Sequence, residues 1–144
     1  MPESPSLKPH SQDYIYRLLD ANLNRAREGL RIIEDIFRFI LSNKKITQKL
    51  KKIRSNLSKA VKEIYPELIK AREVKSDFGR ETIEKKRKNL NDLVIANFRR
   101  VEEAMRVVEE FGKLISQSAG YKFKKLRFQI YNLEKEIFFF LEKR

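Results

Sequence analysis

Cysteine is absent from the 144-residue sequence, which removes disulfides and thiolate metal sites from consideration. Histidine occurs once, as His10 in a Pro/Ser-rich start, too little for a zinc site or a Ser-His-Asp triad. The chain has four glycines and four prolines, and only Pro66 lies beyond the first nine residues. An all-β protein needs far more turn residues than that, so helix is the class the punctuation supports. No apolar run approaches the roughly 18–20 residues of a membrane span. The start lacks the apolar core of a secretory leader and the Arg pattern of a transit peptide, so a cytoplasmic location is expected.

What is present is charge. Charged residues make up 37% of the chain, and the formal net charge is +13. Such a surplus of cations calls for an anionic partner, either a polyanion or a phosphorylated small molecule. The 41% of hydrophobic residues suffices for one core. Residues 1–12 read as a flexible tail and 13–144 as a single helical domain. Helical spacing of apolar residues runs over about 14–41, 46–64, 81–115 and 121–143. Pro66 reopens a short turn at 67–71, and 72–80 is the longest break.

The chain repeats itself. A shift of 75 residues carries Asn22, Arg25, Glu28, Arg31 and Glu34 onto Asn97, Arg100, Glu103, Arg106 and Glu109. The shared motif is N-x-x-R-x-x-E-[GA]-[LM]-R-[IV]-[IV]-E-[DE], over 22–35 and again over 97–110. A shift of 73 carries the run Lys49 to Arg54 onto Lys122 to Arg127. Repeat one (about 14–71) and repeat two (about 81–144) are therefore the same helical hairpin. An all-α, antiparallel four-helix bundle with pseudo-twofold symmetry is predicted.

Along the first helix Ile15, Leu18, Leu19, Ala26, Gly29, Ile33, Ile36 and Ile40 form one apolar stripe, and Asn22 and Arg25 fall inside it. Along the third, Leu90, Leu93, Val94, Val101, Ala104, Val108, Phe111 and Ile115 do so, with Asn97 and Arg100 as the interruptions. A guanidinium buried without an anion is costly, so each Arg needs one. Two readings fit. Glu28 and Glu103, one turn on, pair with the Arg residues as inherited structural ion pairs. Alternatively a polar chamber lies between the halves, where the Arg forks take phosphate oxygens and the Asn amides read a ring or hydroxyl edge. Gly29 and Ala104 leave room for a ligand or for close helix contact. Arg31, Glu34, Asp35, Arg106, Glu109 and Glu110 read as outer or flanking positions, with Asp35 and Glu110 nearest the core edge.

In the break, Asp77-Phe78-Gly79 spells the magnesium triplet of protein kinases without the rest of that signature. No Walker A sequence and no dinucleotide fingerprint occurs. Any phosphate must be held by side chains and helix N-termini.

The stretches 20–35 and 96–113, with Arg72, Asp77, Gly79 and 126–134, resemble the small helical hydroxymethylpyrimidine phosphate kinase family of thiamine biosynthesis. The resemblance covers about 14–143. It implies transfer of a phosphoryl group from ATP, with magnesium, onto 4-amino-5-hydroxymethyl-2-methylpyrimidine phosphate. It also implies a standalone relative of the domain often fused to thiamine-phosphate synthase, and contact with such a synthase. On that basis Arg25, Arg100 and Asp77 are the catalytic candidates. Asn22, Asn97, Glu28, Glu103, Arg31, Arg72, Gly79 and Arg106 are binding candidates, and Glu28, Glu103 and Asp77 are the magnesium ligands.

Two rivals stand beside this reading. The basic clusters at 51–54, 85–88 and 124–127 suit a nucleic-acid backbone. Phe138-Phe139-Phe140 points aromatics in three directions around one helix, and Phe128 lies three turns from Phe139, which suits an adaptor or homodimer surface.

Overall fold

A computed structural model describes residues 11–73, 78–81 and 83–144. Helix α1 spans Ser11–Asp35, α2 Lys44–Val61, α3 Tyr65–Ala71, α4 Leu90–Gly112 and α5 Gln117–Glu142. A π-helical turn, Ile36–Ile40, extends α1, and a 3-10 turn covers Phe78–Glu81. No strand occurs among the described residues, and no described helix is long and apolar enough to cross a membrane. His10, like the rest of 1–10, lies outside the described residues.

Local chemistry sets the boundaries. Asn43, Asn89 and Ser116 each accept a hydrogen bond from the backbone N–H three residues on, at 3.0, 2.8 and 3.0 Å, opening α2, α4 and α5. Each such cap is worth about 1 kcal/mol. Asn89 also explains why α4 begins at Leu90 and not near 81. The cap starts the helix just after the cationic run 85–88. Proline at the first turn of α3 makes the break after Val61 the start of a new short helix.

The π turn overturns one expectation. Leu41 N–H donates to the Ile36 carbonyl at 3.0 Å, a five-residue step that adds a residue to the turn. The added residue rotates the side chains at the end of the segment. Phe37 is fully buried, whereas Ile40, read as the end of the core stripe, is 61% exposed.

The mid-helix core also runs differently from the sequence reading. Leu19, Leu23, Ala26, Leu30 and Ile33 of α1 are buried, and the same shift of 75 carries them onto Val94, Phe98, Val101, Met105 and Val108 of α4, all buried. Leu23 and Phe98 occupy the centre of the stripe that spacing assigns to Arg25 and Arg100. Helical periodicity then turns Arg25 to solvent and leaves Arg100 half-exposed. Helix α1 packs on α2, α3 and α4; α5 packs on α2 and α4, which closes the four long helices into a ring. At the α1–α4 seam a Cβ on Gly29 would lie 2.6 Å from Val101 Cγ2 and 3.3 Å from the Asn97 carbonyl oxygen, so glycine permits this approach. Of the two uses read for Gly29, close helix contact is the one realised.

The duplicated glutamates are the deepest correction. Glu34 and Glu109, placed on outer faces by spacing, are 3% and 2% exposed. Arg54 of α2 donates to Glu34 at 3.1 and 3.4 Å, and Arg127 of α5 donates to Glu109 at 2.7 Å. Each hairpin thus carries the same ion pair across its two helices. Asp35 and Glu110 instead sit outside, paired one turn back with Arg31 at 3.1 Å and Arg106 at 3.2 Å.

Candidate functional site

The first cleft lies where the N-terminal half of α1 meets the end of α3 and encloses about 580 Å³. Asn22, Arg25 and Glu28 line it, with Tyr14, Arg17, Asp20, Asn24, Arg72 and Glu73. Asp20 is buried and grips Arg72 in a bidentate pair, both bonds 2.7 Å, tying the chain after α3 to α1. That hydrogen bond raises the Arg72 guanidinium above its ordinary value, so its charge is permanent.

Asn22 is buried, and its amide nitrogen donates to the Leu18 carbonyl at 2.9 Å. Its oxygen accepts from Arg25 at 3.4 Å. Arg25 has no carboxylate partner among the described residues. Glu28 lines the same cleft with its carboxylate unpaired among them. The inherited Arg–Glu pair read as one alternative is therefore not formed. A cation, an amide and a carboxylate without a partner among the described residues face one open volume.

The second repeat arranges the matching residues differently. Asn97 is buried and donates to the Leu93 carbonyl at 2.9 Å, but it packs in the seam beside Gly29. Arg100 pairs with Glu84 at 2.9 Å. Glu103 and Arg106 line a shallow cleft of about 400 Å³ with Arg99, Glu102 and Tyr131. The two sets thus stand apart and do not share one chamber between the halves. Gly79, itself exposed, sits in the 3-10 turn, and Asp77 lies outside the described residues. Among those residues no group of three or more His, Cys, Asp or Glu side chains is disposed to hold a metal.

Sequence reasoning missed Asp20. Its signal was asymmetry: the shift of 75 places the apolar Ile95 opposite it, marking where the repeats diverge.

Another cleft, about 550 Å³, opens between α4 and α5. In repeat one the chain breaks at Pro66 and α3 folds onto α1, burying Leu68. The counterpart Leu141 stays on an unbroken α5 and lines an open cleft. Glu102 faces Glu134 there. Burial first, and the neighbouring Glu134 second, push the Glu102 carboxyl up to about 8. Two ionised carboxylates only accept, so a hydrogen bond between them requires one proton; without it, Glu102 Oε2 is buried with no partner.

The basic clusters are partly spoken for. Arg54 and Arg127, the arginines of two of them, are locked on Glu34 and Glu109. Lysines remain on those outer faces. Of the three C-terminal phenylalanines, Phe140 packs on Phe37 with ring centroids 5.7 Å apart. Phe138 and Phe139 stay half-exposed, as does Phe128.

Comparison with known proteins returns one consistent relationship. A thiamine-phosphate synthase of Nostoc punctiforme is 43% identical over 140 residues, 95% of this chain and 39% of that protein. Those of Synechocystis sp. and Thermosynechococcus vestitus are 42% and 40% identical, covering 83% and 92% of this chain and 35% and 38% of theirs. The chain thus spans less than two fifths of the length of these relatives. No solved structure matches it. The model of the ThiD2 family matches residues 17–136, and with that span the chain belongs to the ThiD2 family.

Proposed function

We propose that this protein transfers a phosphoryl group from ATP, with magnesium, to 4-amino-5-hydroxymethyl-2-methylpyrimidine phosphate in thiamine biosynthesis, giving the diphosphate. The observation that carries the reading is Arg25: a guanidinium without a carboxylate partner among the described residues, braced by buried Asn22 and open to a cleft that also holds Arg72 and Glu28. Membership of the ThiD2 family and relatives named thiamine-phosphate synthase support the pathway.

Phosphoryl transfer asks mainly for positioning and for neutral surroundings as charge moves onto the transferred group. An acceptor phosphate oxygen attacks the terminal phosphorus of ATP, the bond to the bridging oxygen breaks, and ADP leaves. Arg25 stabilises the equatorial oxygens of the group in flight. Asn22, fixed by its bond to the Leu18 carbonyl, orients the substrate. Arg72, pinned by Asp20, supplies a second positive charge at the rim. Glu28 would be the carboxylate that holds a magnesium ion, which when bound would neutralise phosphate charge. Asp77 and Gly79 complete this set in our reading, as Asn97, Arg100, Glu103, Arg31 and Arg106 complete a second set from the other repeat. The reading also takes a homodimer through the half-exposed Phe128, Phe138 and Phe139.

The same reading takes the ring of long helices as an antiparallel four-helix bundle of two duplicated hairpins, which the matched Glu34–Arg54 and Glu109–Arg127 pairs support. It places the protein in the cytoplasm, where a thiamine-phosphate synthase consumes the diphosphate. Purified protein incubated with ATP, magnesium and the pyrimidine monophosphate should form diphosphate and ADP in equal amounts. No diphosphate at any protein concentration would overturn the reading.

A further inference from the structure

The α4–α5 cleft holds none of the residues assigned to phosphoryl transfer and shares no residue with the first cleft, and Phe138 of the proposed dimer surface stands at its edge. Its walls include Val94, Ile95, Phe98 and Ile137, and its 550 Å³ fits a ligand of one or two rings. At its polar end Glu102 and Glu134 face each other. A carboxyl pair sharing one proton offers an O–H donor beside oxygen acceptors, framed here by apolar side chains. The complement of that array is a ring edge whose nitrogen accepts and whose neighbouring amine donates. A bare metal ion or a simple amine would meet the carboxylates and leave the apolar walls uncovered. Arg99 and Lys135 line the same cleft beside the carboxyl pair.

We infer that the α4–α5 cleft is a ligand site for a planar heteroaromatic ring with an exocyclic amine beside a ring nitrogen, held edge-on by Glu102 and Glu134.

The repeat strengthens this. At the positions of Glu102 and Glu134 the first hairpin carries Arg27 and Val61, and α3 there folds onto α1. The acid pair and the open space arise together, in one repeat only. Substituents leaving the ring run toward Arg99 and then Arg106 in the adjoining shallow cleft. The site stands whether or not the chain is a kinase, since a chain without turnover would still bind the ring. Adenine of a nucleotide and a free aminopyrimidine share this edge.

The test titrates the full chain with adenosine and, separately, with 4-amino-5-hydroxymethyl-2-methylpyrimidine, neither bearing phosphate, by amide NMR and calorimetry. At least one ring should bind and shift the amides of Ile95, Phe98 and Ile137, and whichever binds identifies the source. Glu102→Gln should weaken binding at least tenfold. Ile95→Trp, at a partly exposed rim position, should fill the cleft and abolish binding while the circular dichroism melt stays that of the parent. Should Glu102→Gln fail to fold, Ile95→Trp alone decides. The inference is overturned if neither ring binds at millimolar concentration, if Ile95→Trp binds as tightly as the parent, or if the shifts gather around Arg25. Any of these leaves the diphosphate assay untouched.

Discussion

Glu109 accepts a 2.7 Å hydrogen bond from Arg127 Nε, and both side chains are nearly sealed from solvent, 3% and 10% exposed. Its counterpart in the other hairpin, Glu34 with Arg54, is looser at 3.1 Å and leaves Arg54 27% exposed. The guanidinium of Arg127 also lies 5.0 Å from the Phe128 ring centroid and 5.5 Å from that of Tyr131. The two matched contacts are thus of unequal burial.

That inequality predicts unequal cost. Removing one partner of a buried pair leaves an uncompensated charge, at about 3–5 kcal/mol. Arg127→Met should lose an amount in that range by urea denaturation. Arg54→Met, whose partner Glu34 can regain water more easily, should lose about half as much. Equal losses would show that the difference in burial carries no energy.

Gly29 gives a second prediction. Alanine is the better helix former by about 1 kcal/mol. At this seam its Cβ would meet Val101 Cγ2 at 2.6 Å, and β-branched Val101 has few rotamers into which to retreat. Overpacking of this kind costs about 1–3 kcal/mol, so the clash should win. Gly29→Ala should lower the melting temperature, and Val101→Ala should be less harmful in that background than in the parent. Additive effects of the two changes would contradict the contact.

Turnover should depend on Arg25 more than on Arg100. Removing a donor that stabilises the transferred group costs about 10²–10³ in rate. Arg25→Ala should fall by that much with its helical circular dichroism unchanged, since the side chain is exposed. Arg100 is already paired with Glu84, so Arg100→Ala should fall less. Full activity in Arg25→Ala would remove the first cleft from the chemistry.

The Glu102 carboxyl makes stability fall with rising pH. Its ordinary value is 4.5, and in the fold it holds its proton up to about 8. Its stabilising contribution is therefore complete below about 4.5, declines across the interval, and is gone above about 8. Glu102→Gln cannot ionise. Relative to that variant, the parent's melting temperature should drop between pH 5 and 8 and level off beyond. Parallel curves across that range would show that Glu102 stays ionised in the fold.

Much of this is readable from particular residues. The 75-residue shift identifies two copies of one hairpin, and the buried α1 and α4 residues obey it side chain for side chain. Asn22 and Asn97 read as inside, and they are buried. Arg25 reads as inside and is not. Periodicity fixes which residues share a face to within one residue in a turn, and Leu23 displaces the arginine from the stripe. Ile40 leaves the core because a π turn adds a residue that no spacing rule reports. Asp20 and Arg72 lie far apart in sequence, and only folding of α3 onto α1 makes their contact.

The sequence by itself determined helix as the building unit, the doubling of one hairpin, and the residues the doubling preserved. All three rest on local propensity and spacing, which act along the chain. Only tertiary structure decided which preserved charges are buried. Glu34 and Glu109 went inside because Arg54 and Arg127 reach them from the neighbouring helix, and a buried carboxylate is tolerated only where such a partner arrives. Tertiary structure likewise opened a cleft in one repeat and covered it in the other, because a single proline bent one helix and none bent its twin.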